Sequence, residues 1–175
     1  MKTIKLLTIL IIALVSSVNS LHAQRVAVAS NGVEWLMLSP NLQCEISVAP
    51  KRSMTLDLTH NPINKGIESY SFNITTLRYG YRWWFTQPMS AAFIGVQAMA
   101  TKYDIALFNN YYTSGRRVGI GFTYGYSIVL SSRWNLVPNI GYGVALTKEG
   151  YGAASKAKIK PSFTDIGVRM QYVIK

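Results

Sequence analysis

The feature that most constrains the fold is an alternation of apolar and polar residues that recurs along most of the chain. Between Arg117 and Leu130, large apolar residues occupy every second position, and glycine or polar residues lie between them. Trp134–Thr147 and Phe163–Ile174 repeat this arrangement. Successive side chains of a β-strand point to opposite faces, so a period of two predicts strands with one apolar and one polar face.

Eight segments carry this alternation or a strand-like run of apolar residues. The eight predicted strands are Val26–Met37, Leu42–Val48, Met54–Asn61, Ser71–Phe85, Ala91–Tyr103, Arg117–Leu130, Trp134–Thr147 and Phe163–Ile174. The longest span about 15 residues, more than the five or six typical of soluble sheets and enough for the roughly 9 to 11 that cross a bilayer. The expected fold class is all-β: an eight-stranded antiparallel up-and-down transmembrane β-barrel, formed by residues 24–175.

The connections between these strands alternate in length. The short ones are Pro50–Ser53, Thr86–Ser90 and Ser131–Arg133, the long ones are Pro62–Ser69, Asp104–Arg116 and Lys148–Pro161, and Ser39–Asn41 is a short exception. Outer-membrane barrels combine short periplasmic turns with longer exterior loops. The pattern favours an outer-membrane location with both termini in the periplasm.

The first 23 residues have the composition of a secretory signal peptide. Lys2 and Lys5 precede the apolar run Leu6–Val15, and the small polar residues Ser16, Ser17 and Ser20 follow it before Leu21-His22-Ala23. A retained membrane anchor is the alternative, but ten apolar residues fall short of the roughly 20 that a spanning helix needs. The only cysteine, Cys44, excludes an intramolecular disulfide framework, and in the predicted strand it lies on the lipid-facing side.

Charged residues in the polar phase of the strands are expected to fill the interior. The predicted lumen network consists of Glu45, Asp57, Arg78, Arg82, Arg117, Asp165 and Arg169. An eight-stranded barrel is just wide enough for side chains to fill it, and buried charges are costly unless they are paired. The alternative is a selective conduit lined by the arginines, which usually requires a wider barrel. The sequence does not assign the acids to their arginines.

Aromatic residues cluster near the predicted strand ends, where a membrane interface would lie. The predicted aromatic girdle consists of Trp35, Trp83, Trp84, Trp134 and Tyr172. Such girdles are typical of outer-membrane barrels. The alternative is the general preference of aromatic residues for strands.

Two positions depart from the simple pattern. Pro138 lies inside a predicted strand on its lipid-facing side, where it removes a ladder hydrogen bond, and we expect a bulge there. In Ser71–Phe85 the alternation changes phase, and we expect a slip near Thr75 and Thr76.

The chain has 18 Lys and Arg residues against 7 Asp and Glu, for a net charge of +11. An exported basic protein meets anionic lipid and lipopolysaccharide phosphates before it meets nucleic acid. Four lysines near the last long loop, Lys148, Lys156, Lys158 and Lys160, are the expected lipopolysaccharide contact. A solvated basic loop without a specific partner is the alternative.

The residues give little support for catalysis, metal binding or a cofactor. His60 is the only histidine after the predicted signal peptide, and Asp57 lies three residues earlier and hence on the opposite face of a strand. One histidine and one distant cysteine provide no metal-ligand spacing. We therefore expect a protein without catalytic residues, metal or cofactor.

Several short segments resemble one family of proteins. They are Ser39-Pro40-Asn41-Leu42, Lys51-Arg52-Ser53, Arg82-Trp83-Trp84-Phe85, Gly121-Phe122-Thr123-Tyr124-Gly125-Tyr126, Ser132-Arg133-Trp134-Asn135-Leu136 and the terminal Tyr172-Val173-Ile174-Lys175. The chain resembles an uncharacterised domain-of-unknown-function family of small outer-membrane barrels from Bacteroidetes. It departs from that family at Ser53, where a tryptophan is usual, and in its short exterior loops.

The resemblance implies an outer-membrane location, no known catalytic residues, and genes for fimbrial or surface assembly nearby. Our first hypothesis is a monomeric outer-membrane barrel with a structural, adhesive or surface (fimbrial) assembly accessory role. Its partners would be lipid, lipopolysaccharide and surface proteins. The alternatives are a soluble periplasmic barrel that binds a ligand, and a lipid-modifying outer-membrane enzyme.

Overall fold

The computed structural model describes residues 25–64, 70–107, 111–150 and 157–174, which form a closed barrel of eight antiparallel strands in chain order. The elements are β1 (Val26–Asn31), α1 (Gly32–Leu36), β2 (Asn41–Ala49), β3 (Arg52–Asn64), β4 (Tyr70–Trp84), β5 (Ala91–Leu107), β6 (Tyr111–Val129), β7 (Trp134–Glu149) and β8 (Lys158–Ile174). The ring closes where Val26 pairs with Ile174. The prediction of an all-β, eight-stranded up-and-down barrel is confirmed.

The predicted signal peptide lies outside the described residues. No helix within the described ranges is long and apolar enough to cross a membrane.

The two ends of the barrel differ in their connections. We call the end with the turns at residues 50–51, 85–90 and 130–133 the turn end, and the end where β1 passes through α1 into β2 the rim end. At the rim end the strands are longer than predicted. β5 and β6 pair as far as Leu107 and Tyr111, so most of the predicted loop Asp104–Arg116 is strand. β8 likewise begins at Lys158, inside the predicted loop Lys148–Pro161.

The first predicted strand, Val26–Met37, is wrong beyond Asn31. The side-chain oxygen of Asn31 accepts a hydrogen bond from the amide of Val33 at 3.1 Å and caps the helix α1. The chain therefore turns at the rim end instead of continuing as a strand.

The strands sort their side chains cleanly between two faces. On β6 the residues at even positions from Val118 to Ile128 are exposed and large, while those between them are mostly buried and small or polar.

β4 keeps one register with both neighbouring strands, and its pairing with β3 runs without a shift from Trp83 to Ser71. The predicted slip near Thr75 and Thr76 therefore does not occur.

Pro138 faces outward as expected, but the expected bulge at Pro138 is wrong. Pairing with β8 continues through Pro138 and Val168, and the register shifts only between Gly141 and Tyr142. Gly141 pairs with Asp165 and Tyr142 with Phe163, which leaves Thr164 as the extra residue of the bulge. Thr164 and Asp165 are consequently both buried.

β6 and β7 approach each other closely where they place two glycines opposite each other. Gly121 pairs with Gly143, and a Cβ atom on Gly143 would meet the carbonyl oxygen of Ile120 and the Cα of Gly121. Both are backbone atoms, which cannot rotate away as a flexible side chain can.

We therefore expect Gly143→Ala to lower the free energy of unfolding by about 1–3 kcal/mol, the usual cost of overpacking. The measurement is the urea midpoint in detergent, followed by far-ultraviolet circular dichroism. Gly32→Ala is the matched control, since its nearest new neighbour, the Val168 carbonyl oxygen, lies at an ordinary 3.5 Å. Equal midpoints for the two variants would contradict the close approach of β6 and β7.

Candidate functional site

Arg169 is the centre of a buried ion-pair cluster inside the barrel. Its Nη2 lies 2.9 Å from each carboxylate oxygen of Asp165 and 3.2 Å from Oδ2 of Asp57. Its Nη1 donates to the side-chain oxygen of Asn139, whose own amide nitrogen donates to Asp165 at 2.7 Å. Only 1% of the Arg169 side chain is exposed. Charge-assisted hydrogen bonds of this kind offset the cost of burying the charges.

Asp57 links Arg169 to a second arginine nearer the rim end. Its Oδ1 lies 2.8 Å from Nη1 of Arg78, which stands directly opposite on β4. Nη2 of Arg78 lies 2.6 Å from Oε1 of Glu34, and the hydroxyl of Thr59 donates to the other oxygen of Glu34 at 2.7 Å. Glu34 comes from α1, so the helix closes the cluster from the rim.

A separate group of polar residues occupies the interior at the turn end. Nη1 of Arg82 lies 2.7 Å from Oε2 of Glu45, and Ser53 and Gln171 donate to the same carboxylate at 2.5 and 2.9 Å. The Arg82 guanidinium also lies over the Phe93 ring, 4.4 Å from its centroid. Each charge in this group has a partner of opposite sign or a hydrogen-bond donor.

The structure therefore places six of the seven predicted lumen residues in two interior groups: Asp57, Arg78, Asp165 and Arg169 in one, and Glu45 and Arg82 in the other. Arg117 stands apart from them, with Nη1 3.4 Å from the Ser162 hydroxyl and its guanidinium 6.0 Å from the centroid of the Tyr103 ring. Glu34 is the interior acid that the sequence reasoning missed. Asparagine followed three residues later by glutamate, as at Asn31 and Glu34, is a helix-start signal that would have found it.

Trp84 does not belong to the predicted aromatic girdle. Its side chain is 3% exposed, its indole nitrogen donates to the Ser53 hydroxyl at 2.8 Å, and its ring lies 4.8 Å from that of Phe93. Adjacent strand residues face opposite sides, so Trp83 and Trp84 cannot both face outward. The other four predicted girdle residues, Trp35, Trp83, Trp134 and Tyr172, are exposed or half-buried.

The buried Trp84 and the more exposed Trp83 should respond differently to the same substitution. We expect Trp84→Phe to lower the free energy of unfolding by about 1–3 kcal/mol, because it removes a buried hydrogen bond and leaves a void. Trp83→Phe, at a position 39% exposed, should change it by less than about 1 kcal/mol. Urea unfolding in detergent compares the two, and a larger loss for Trp83→Phe would refute the interior placement of Trp84.

The four lysines expected to contact lipopolysaccharide do not form one group in the described part of the chain. Lys148 is exposed on the outward face of β7. Lys158 and Lys160 pair with Thr147 and Ala145, which are inward positions, and their side chains are exposed at the rim. Nζ of Lys160 lies 3.7 Å from Glu149. Lys156 lies outside the described residues.

His60 and Cys44 both belong to the outward phase of their strands. His60 is exposed, and its Nδ1 lies 2.9 Å from the Thr75 hydroxyl, whereas Asp57 points into the barrel. Cys44 is half-buried and free. Within the described ranges, no three His, Cys, Asp or Glu residues are grouped so that they could hold a metal ion.

A ring of eight antiparallel strands around a polar interior defines the class as a small up-and-down β-barrel protein. The chain belongs to the family described as "Protein of unknown function (DUF3575)", whose profile matches residues 7–167. Comparison with curated proteins and with solved structures gives no match.

Proposed function

We propose that this protein is a small integral barrel of the outer membrane, exported by its signal peptide, with a structural, adhesive or surface-assembly accessory role. The observation that carries the proposal is the distribution of polarity across the barrel wall. Charged side chains are buried inside, and large apolar side chains cover the outside.

The outward face of β6 has the dimension expected of a membrane-spanning strand. Every even position from Val118 to Ile128 carries an apolar or aromatic side chain, and Phe122 near the middle is 77% exposed. The ten residue steps from Val118 to Ile128 correspond to about 33 Å of strand, or about 25 Å along the membrane normal at a tilt of about 40°. An apolar band about 25 Å tall is typical of outer-membrane barrels.

The outward face of the neighbouring strands continues this surface. Outward positions exposed by two fifths or more include Leu56 and Leu58 on β3, Ile140 and Leu146 on β7, and Ile166 on β8. In water, such a continuous apolar surface would drive association. In lipid it is favourable, and the closed ring leaves no strand edge with unpaired backbone groups.

The polar interior also argues against a soluble barrel that binds an apolar ligand. Such a protein needs an apolar cavity and a polar outer surface. Here the most deeply buried large side chains include Arg169, Gln171 and Glu45, which fill the space that a ligand would occupy. The same side chains occupy the path that an arginine-lined conduit would need.

The accessory role rests on the rim end, where apolar side chains project from the barrel. Leu36, Met37 and Leu38 follow one another around the end of α1 and are all exposed, Leu36 by 86%. A surface protein docking at the rim would bury these side chains. No step of the proposed role requires a nucleophile, a general base or a metal.

Fractionation of cells and mobility in detergent gels test the location. We expect the protein in the outer-membrane fraction, resistant to carbonate extraction, and faster-migrating in unheated than in heated samples. Recovery in the periplasmic extract without such a shift would refute the proposal. A single species of monomer mass in detergent is the expected oligomeric state.

His60 allows the enzymatic alternative to be tested. We expect His60→Ala to leave the lipid A of the cells unchanged, because the histidine faces outward beside Thr75 and away from Asp57. The measurement is mass spectrometry of lipid A from cells with the wild-type protein, the variant, or neither. A lipid A species that requires the protein and disappears with His60→Ala would establish catalysis.

A further inference from the structure

Three basic residues form a row on the outward face near the rim end. Lys102 on β5 pairs directly with Arg116 on β6, and Arg116 pairs directly with Lys148 on β7. All three side chains are exposed. Directly opposite residues of antiparallel strands have Cβ atoms about 5 Å apart, and like charges at that spacing repel each other. An anion bound between the three side chains would be attracted to each of them and would offset their mutual repulsion.

The row is local to one side of the barrel. At the same register, β3 carries His60 and β4 carries Thr75, which pairs with Lys102. Within the described ranges, no carboxylate lies within the 4.0 Å ion-pair distance of any of the three basic side chains. The nearest acid along β5 is Asp104, which is one outward position closer to the rim. An anion would therefore be held at the row and repelled beyond it.

An apolar groove lies on the same outward face, closer to the middle of the barrel, and its nearest residue on β5, Ala98, is four residues from Lys102. The outward face of β5 carries the small side chains Ala98 and Ala100 below Lys102, while its neighbours are larger. Ala98 pairs with Tyr79 on one side and with Ile120 on the other. The resulting groove has a volume of about 460 Å³. Its lining is almost entirely apolar, with Tyr79, Tyr81, Val96, Ala98, Ile120 and Phe122 among the residues that form it.

A row of cations and an apolar groove on the same face, separated along β5 by Ala100, match the chemistry of a partner that carries both an anionic group and an apolar chain. We propose that this face binds a phosphorylated lipid, with a phosphate group on Lys102, Arg116 and Lys148 and an acyl chain along the groove over Ala98. The proposal rests on the proposed function, since it requires the outward face to contact a bilayer. Of the four lysines that the sequence predicts to contact lipopolysaccharide, only Lys148 belongs to this proposed site.

Native mass spectrometry of the full-length protein in detergent tests the proposal, with bisphosphorylated lipid A as the probe. We expect the triple variant Lys102→Gln/Arg116→Gln/Lys148→Gln to lose retention of lipid A on the order of a hundredfold, given the contribution of each basic residue near anionic lipid. Dephosphorylated lipid A should bind the wild-type protein as weakly as lipid A binds the triple variant. Ala98→Trp, which fills the groove, should also weaken retention while leaving the row intact.

Two variants serve as matched controls. Arg52→Gln/Arg133→Gln removes exposed charges at the turn end, and Leu42→Trp places the same tryptophan side chain on the outward face of β2, away from the groove. Both should retain lipid A like the wild-type protein. Equal retention by the triple variant, or equal binding of dephosphorylated lipid A, would overturn the proposal. So would full competition by millimolar inorganic phosphate, which indicates a free-anion site, or self-association that covers the groove.

Insertion into phosphatidylcholine vesicles, measured on the same variants by the heat-dependent gel shift, separates this proposal from the proposed function. Variants that insert normally while lipid A binding shows no selectivity would overturn the lipid site and leave the membrane barrel standing. Failure of the wild-type protein to insert would overturn both.

Discussion

Replacing Arg169 by methionine should lower the free energy of unfolding by about 3–5 kcal/mol, the usual cost of leaving a buried charge without its partner. The substitution removes both contacts to Asp165 and the contact to Asp57. Asp57 keeps Arg78, but Asp165 keeps only the amide of Asn139. The measurement is the urea midpoint in detergent micelles, followed by far-ultraviolet circular dichroism.

A second substitution separates the charge from the packing of the side chain. Asp165→Asn in the Arg169→Met background removes the unpaired carboxylate, and we expect it to restore a large part of the lost stability. Arg133→Met, at an exposed position of the turn end, should change stability by less than about 0.5 kcal/mol. An Arg169→Met variant as stable as Arg133→Met would contradict the interior cluster.

Phe122→Arg should destabilise the barrel in phosphatidylcholine vesicles by about 2–4 kcal/mol, the cost of an arginine on the lipid face near the bilayer midplane. Phe122 lies near the middle of the apolar band of β6, between Val96 and Tyr142 on the neighbouring strands. Leu130 lies just beyond the end of β6, and Leu130→Arg is the matched control. Its expected cost is about 0–1 kcal/mol, because the penalty falls towards the interface.

Urea unfolding in vesicles measures the free energy of unfolding of both variants, and the difference between the two costs reports the difference in medium between the two positions. Equal costs for Phe122→Arg and Leu130→Arg would mean that the two positions lie in the same medium. That result would contradict a band of lipid contact along β6 while leaving the closed barrel itself untouched.

The alternation in the sequence was sufficient to predict the strand number, the chain order and most inward positions. A side chain's face follows from the parity of its position once the strand is recognised, so phase alone predicts an inward direction for Asp57, Arg82 and Arg169, which are buried. The pairing of acids with arginines does not follow from parity. It depends on register between strands, such as the direct opposition of Asp57 and Arg78, and register is a tertiary property.

Glu34 shows where parity fails. In a continuous strand from Val26, it shares the phase of Val26 and Val28 and would face outward. The helix α1 changes the direction of the side chain and brings it to Arg78. Five residues of helix are too few to produce a hydropathy period, so only the capping signal marks the element.

The bulge at Thr164 is the second case. Without it, Phe163 and Asp165 would share the inward face, because they lie two residues apart. The extra residue lets Phe163 face outward, with its ring centroid 5.4 Å from that of Tyr142, while Asp165 reaches Arg169. Threonine is compatible with either face of a strand, so the residue type at position 164 gives no sign that Thr164 is the extra residue of a bulge.

The central claim, that the apolar outer face of the barrel contacts acyl chains, is tested most directly by nitroxide labels along β6. Labels at Val118, Phe122, Ile128 and Leu130, introduced as cysteines in a Cys44→Ser background and reconstituted into vesicles, report collisions with oxygen and with a water-soluble nickel chelate. Oxygen accessibility should be highest and nickel accessibility lowest at Phe122. From Phe122 towards Leu130, oxygen accessibility should fall gradually and nickel accessibility should rise. Nickel accessibility at Phe122 as high as at Leu130 would contradict the account.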